Sequence, residues 1–290
     1  MRWQDGREGG VEDRRGIGPQ HVVGGGGIAM VVVALIGYFF FHIDPAKILG
    51  AADQSQSPAA QVGQLDGTPG SKCPTGDEAC KFSATIHASV DDTWTEIFKA
   101  EGKDYRPSTL TLYSEDTQTG CGDGQAAMGP FYCPEDERVY LDLDFFNTME
   151  QQLGAKGDFA RAYVIAHEVG HHVQNLLGVS AAVEKQEQGL SQTRANALSV
   201  KLELQADCYA GVWAKRSNDE KHWLEPGDAE EALNAAASVG DDTLQKETQG
   251  RIVPDSFTHG TSAQRMHWFQ AGFTTGDPTQ CDTFGGSLGA

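Results

Sequence analysis

The sequence predicts an α+β fold: a small β-sheet, one central helix carrying a His-Glu-x-x-His pattern, and a helical C-terminal half. Three observations lead there. "STLTLY" (108–113) and "RVYLDL" (138–143) alternate apolar and polar residues, as half-buried strands do. "DFARAYVIAHEVGHHVQNLLG" (158–178) repeats apolar residues at three- and four-residue steps. Beyond residue 144 the chain keeps that helical period, most clearly in "ALSVKLELQADCYAGVWAKR" (197–216).

Taken from the N-terminus, residues 1–21 are polar and Gly-rich and read as a short tail. Residues 22–43 contain no Asp, Glu, Lys or Arg and are long enough to span a bilayer core of about 30 Å as a transmembrane helix. Arg2, Arg7, Arg14 and Arg15 precede that stretch, and the nearest basic residue after it is Lys47. The bias places the N-terminus in the cytoplasm and the rest of the chain outside, anchored to the inner membrane by a single pass. A cleaved signal peptide is the rival reading; the long acid-containing N-terminal region and the lack of an A-x-A site weigh against it. Residues 44–72, rich in Ala, Gln, Gly, Ser and Asp, read as a flexible linker, and residues 73–290 as the folded domain. A net charge of −19 and a pI near 4.7 argue against a nucleic-acid partner, which a basic surface would serve.

All six cysteines follow the apolar stretch, which suits three disulfides in an oxidising compartment. Local spacing favours Cys73–Cys80 and Cys121–Cys133, leaving Cys208–Cys281. Within the domain, "SVDDTWTEIFKAEG" (89–102) sets Val90, Trp94, Ile97 and Phe98 at helical steps before Gly102. "CGDGQAAMGPFYC" (121–133) reads either as an edge strand that a peptide could extend by main-chain pairing or as a disulfide-closed loop.

In the central helix, Asp158 can cap the start and Gly178 can end it. Residues four apart on a helix lie about 40° apart in projection, so His167 and His171 point the same way. His172 is rotated by about 100° from His171 and reads as structural, as do His87, His222 and His267. Two imidazoles on one face can grip a zinc ion, with Glu168 beside them to take a proton from a bound water. A catalytic zinc also needs a third protein ligand. A third His six residues on is excluded, because the G-x-x-H continuation fails at Gln174 and Leu177. In "ELQAD", Glu203 and Asp207 lie one turn apart in an otherwise apolar helix, where unpaired carboxylates are costly. Glu203 is the candidate third ligand, and Asp207 the acceptor for the second N–H of a zinc-bound His. The bland alternative for both is a solvated helix face.

His-Glu-x-x-His followed by Glu-x-x-Ala-Asp resembles the gluzincin metallopeptidases. "GPFYCPEDERVYLDLDFF", "AHEVGHHVQ", "ELQADCYAGVWA" and "HGTSAQRMHWFQAGFTTGDPTQCDTF" are more narrowly similar to the bacterial neutral zinc metallopeptidase family of YpfJ-like proteins, and "MRWQDGREGGVEDRRG" resembles that family's N-terminal segment. The resemblance implies a zincin-like domain holding one Zn²⁺ per chain. The segment from His259 to Arg265 is similar to the His…Arg segment near the active site of Ste24-like gluzincins. That likeness implies a hydrogen bond from His259 to the oxyanion of a tetrahedral intermediate, with Arg265 bracing the site. The expected function is zinc-dependent hydrolysis of a peptide or protein substrate, with His167, His171 and Glu203 on the metal, Glu168 as general base and the catalytic domain outside the bacterial cell membrane. The alternatives are a membrane-tethered, zinc-stabilised binding module and a hydrolase of cell-wall peptides.

Overall fold

The computed structural model describes residues 1–15, 68–125 and 129–286, all within one compact unit. The fold is α+β: a small mixed sheet and a larger set of helices. Strand β1 (Val11–Asp13) is followed by α1 (Glu78–Ala100) and β2 (Thr109–Tyr113). A hairpin of β3 (Asp116–Thr119) and β4 (Gly122–Gln125) leads to β5 (Phe131–Cys133) and β6 (Arg138–Asp142). The helices α2 (Asp144–Gln152), α3 (Asp158–Leu176), α4 (Val179–Glu187), α5 (Gln192–Lys221), α6 (Asp228–Ser238), α7 (Asp241–Gln249) and α8 (Ser262–Thr275) complete the chain. A 3₁₀ turn at Pro278–Cys281 follows α8.

The four-stranded sheet runs β1-β2-β6-β5. β1 and β2, and β2 and β6, are parallel; β5 is antiparallel to β6 and lies at the edge. The residues at 108–113 and 138–143 were expected to be half-buried, yet β2 and β6 are buried on both faces. Leu110, Leu112, Val139 and Leu141 enter the main core, and Tyr113 and Tyr140 pack with Phe131 on the other side. Aromatic side chains conceal this second buried face from a polar/apolar count, because a tyrosine serves either side of a sheet. Both readings of 121–133 hold in part: Phe131–Cys133 is an edge strand, and Cys121–Cys133 closes the loop before it. Cys73–Cys80 pairs as local spacing suggested, and Cys208–Cys281 as elimination left it.

The expectation that residues 1–21 form a separate tail needs correction for residues 1–15. Val11 is fully buried opposite Leu110, and the Arg14 amide donates to the Leu112 carbonyl at 2.7 Å. Arg15 joins Asp13 and Asp77, the latter capping α1 at the Cys80 amide. Trp3 stacks edge-on against Phe82 and donates from Nε1 to Asp158 at 3.2 Å. Three residues are too few for periodicity to reveal a strand, which is why β1 escapes a sequence reading. The domain also begins before Cys73, since Ser71 bridges to Val11. The expected transmembrane helix over 22–43 lies outside the described residues, as does most of the 44–72 linker. No helix among the described residues is long and apolar enough to cross a membrane.

Helix α3 runs between the sheet and the helical half. Its start differs from expectation: Gly157, with φ of 99°, takes the cap position, and Asp158 is the first helical residue. Close approach to α5 is possible because position 170 lacks a side chain; a Cβ there would sit 3.1 Å from the Ala206 backbone. Helix α8 presses still closer to α5, where a Cβ on Gly272 would fall 2.0 Å from the Cys208 carbonyl oxygen. These two contacts bring residues of α3, α5 and α8 to one point.

Candidate metal centre

That point is formed by His167 and His171 of α3 and Glu203 of α5. The His167 and His171 Nε2 atoms are 3.2 Å apart. Glu203 faces both, with Oε2 3.1 Å from His167 Nε2 and Oε1 3.3 Å from His171 Nε2. Two ligands on a tetrahedral ion at about 2.0–2.1 Å would be separated by about 3.3 Å, so the spacing suits a small divalent cation.

The hydrogen bonds behind the rings make the same case. Asp207 Oδ1 lies 2.9 Å from His167 Nδ1, and Gln174 Oε1 lies 2.9 Å from His171 Nδ1. Both oxygens accept, so in each neutral ring Nδ1 carries the proton and Nε2 presents a lone pair. Two ring lone pairs and a carboxylate then converge on one space with no donor among them, which is the donor set of a metal site. In the chain by itself, protons would substitute for the cation. Burial opposes a charge on His167, but Asp207 and Glu203 outweigh it and raise the ring to about 10. Burial likewise favours protonated Glu203, yet His171 and His167 pull it well below the usual carboxylate range.

Asp207 is fully buried and heavily bonded. Arg265 of α8 grips it with both arms of its guanidinium, Nε to Oδ2 at 2.8 Å and Nη2 to Oδ1 at 2.9 Å. The Tyr163 hydroxyl donates to the same Oδ1. Arg265 therefore reaches the cluster through Asp207, and its partner is a buried acid rather than a surface one. Glu168, 8% exposed, has no hydrogen-bond partner among the described residues. Burial raises its pKa, and the charges of His167 and His171 offset part of that rise.

His259 lies half-exposed on the loop before α8, with no hydrogen bond to His167, His171 or Glu203 among the described residues. Asp241 holds it: Oδ2 accepts from the backbone amides of Thr258, His259 and Gly260, and Oδ1 lies 3.3 Å from His259 Nδ1. His172 is structural, as expected, bonded through Nε2 to the Arg106 carbonyl and through Nδ1 to the Tyr132 hydroxyl.

Sequence reading missed three participants. Tyr163 is hidden within the apolar period of the central helix, although it lies one turn before His167 just as His171 lies one turn after. Gln174 served only to exclude a third His. Asp241 carried no signal, since its partner is 18 residues away.

Residues 1–284 match the family described as "Putative neutral zinc metallopeptidase". The chain belongs to this family. It is 48% identical over 298 aligned positions to uncharacterized protein YpfJ of Escherichia coli K12, covering 99% of this chain and all of that protein. An uncharacterized protein of Mycobacterium tuberculosis H37Rv is 44% identical over 229 positions, covering 74% of this chain and 75% of its own length. No solved structure matches the chain. Family membership makes zinc the natural cation for the His167–His171–Glu203 cluster.

Proposed function

We propose that the protein is a zinc-dependent peptidase of gluzincin type, zincin-like in its active-site helix, with His167, His171 and Glu203 as the three protein ligands. The observation that carries this is Glu168: a buried carboxylate with no hydrogen-bond partner among the described residues, next to a three-ligand cluster. A structural zinc site has no use for such a group, and a binding module would not retain it at the cost of desolvation. Zinc bound there supplies Lewis acidity, bringing the pKa of water from 15.7 toward about 7 and polarising the scissile carbonyl. Glu168 takes the proton from the attacking water and passes it to the leaving amine. Asp207 orients His167, and we assign His259, held by Asp241, to donate to the developing oxyanion.

The test is a mixed peptide library incubated with the full-length protein. Cleavage is expected with zinc, lost on chelation and restored by zinc addition. Glu203→Ala is expected to lose most bound zinc by elemental analysis, and cleavage with it. Full zinc content in Glu203→Ala would overturn the ligand set, and a zinc-loaded protein that cleaves no library member would favour the binding-module reading.

We also propose that the domain lies outside the cytoplasm, supported by the three disulfides. A single pass over 22–43 would put β1 and β2 on opposite sides of the membrane, whereas they pair residue by residue. The N-terminus is therefore assigned to the same side as the domain, in place of the cytoplasmic position inferred from its arginines. Compartment-specific reporters fused before Met1 and after Ala290 should agree. A cytoplasmic N-terminus with an external C-terminus would mean that β1 is not part of the sheet in the cell.

A further inference from the structure

The two metal-facing histidines are held differently: His167 by a carboxylate that Arg265 neutralises, His171 by an amide. Gln174 is fully buried and Gln205 nearly so. Gln205 Nε2 donates to the Cys281 carbonyl at 3.0 Å. Gln174 Nε2 donates to the Leu202 carbonyl at 2.7 Å and to Gln205 Oε1 at 3.1 Å. Gln174 Oε1 faces His171 Nδ1. Main-chain carbonyls only accept, so the polarity of the whole chain is fixed from its far end. The Cys281 carbonyl requires the amide nitrogen of Gln205 toward it, which turns Gln205 Oε1 toward Gln174. That oxygen and the Leu202 carbonyl both require the amide nitrogen of Gln174, which turns Gln174 Oε1 toward the ring. His171 is then left with its proton on Nδ1 and its lone pair on Nε2.

Resting on the zinc-site reading above, we propose that Gln174, oriented by Gln205 and the Cys281 carbonyl, is a positioning residue that fixes the metal-binding tautomer and ring orientation of His171. The relay is anchored where the Cys208–Cys281 disulfide ties the C-terminal 3₁₀ turn to α5, the helix that also carries Glu203 and Asp207. Second partners of metal-bound histidines typically govern about 10–100-fold in metal affinity. An amide does this without adding a third negative charge beside Glu203 and Asp207.

Two substitutions in the full-length protein separate positioning from packing. Gln174→Met matches the volume and removes the acceptor. Gln174→Glu keeps an acceptor for His171 Nδ1–H but loses both donated bonds, leaving acceptors against the Leu202 carbonyl and Gln205. Zinc affinity is read by competition with a chromophoric chelator, melting temperature in parallel, and the His171 ring proton by NMR of the zinc-loaded protein. Positioning predicts that Gln174→Met weakens zinc binding by about 10–100-fold and loses the slowly exchanging Nδ1 proton signal. It also predicts that Gln174→Glu keeps both while melting at lower temperature. If zinc affinity instead follows melting temperature, lowest in Gln174→Glu and unchanged in Gln174→Met, Gln174 is a packing residue and the proposal falls. Full zinc retention in Glu203→Ala would sink the site reading itself, a distinct result.

Discussion

Replacing Glu168 by glutamine is expected to lower peptide hydrolysis by about 10²–10⁴-fold while leaving bound zinc and melting temperature nearly unchanged. Glutamine preserves the shape of the side chain and a hydrogen-bonding tip, and removes only the basic carboxylate. Nothing in the fold depends on that carboxylate, which bonds to no described residue and is 8% exposed. The three ligand side chains and their supports at Asp207 and Gln174 are untouched, so zinc content should hold. The measurement is cleavage of the same peptide library by zinc-loaded wild-type and Glu168→Gln proteins, with elemental zinc determined on each. A zinc-loaded variant cleaving at the wild-type rate would remove Glu168 from the mechanism. A loss of activity accompanied by loss of zinc would instead make Glu168 part of the metal site.

What the sequence disclosed about this centre was what lies at helical spacing on a single element. His167, Glu168 and His171 are legible because one turn of α3 aligns them, and Glu203 and Asp207 because one turn of α5 does the same. The apolar surroundings of Glu203 and Asp207 carried the further information that they needed a partner. The identity of Asp207's partner was not legible: Arg265 comes from α8, 58 residues along, through a helix contact that Gly272 permits. Local spacing gave two disulfides, and elimination gave the third. β1 was hidden for another reason. Its three residues, Val-Glu-Asp, carry two acids, and their burial is possible only because Arg14, Arg15 and Arg138 meet those acids in the fold. The arginines that suggested a cytoplasmic tail are thus in part the counter-charges of a buried strand.

The second large effect is expected at Arg265. In Arg265→Met the Asp207 carboxylate would remain fully buried, with Tyr163 and His167 its remaining donors among the described residues. Removing one member of a buried ion pair typically costs about 3–5 kcal/mol, most of it the penalty of the charge left behind. Methionine fills a similar volume, so the loss reports charge rather than a cavity. Asp207 is the group through which the loss should be felt. Burial raises its pKa, but Arg265 and His167 overcome this and hold it below the usual carboxylate value. A depressed carboxylate stabilises the fold above its unfolded pKa of about 3.9, and that contribution disappears as pH falls through the folded value. Without Arg265 the Asp207 pKa rises, so the variant's deficit should be largest near neutral pH and narrow in mild acid, where Asp207 protonates. Adding Asp207→Asn to Arg265→Met should recover part of the stability, because the unpaired charge is gone. Zinc affinity should nonetheless stay low in the double variant, since an amide is a weaker acceptor for His167 Nδ1–H than a carboxylate. Urea unfolding of the zinc-free proteins at several pH values, with chelator competition for zinc, measures both quantities. A change below about 1 kcal/mol in Arg265→Met would place the pair among surface contacts, and full stability with weakened zinc binding would assign Arg265 to the metal centre alone.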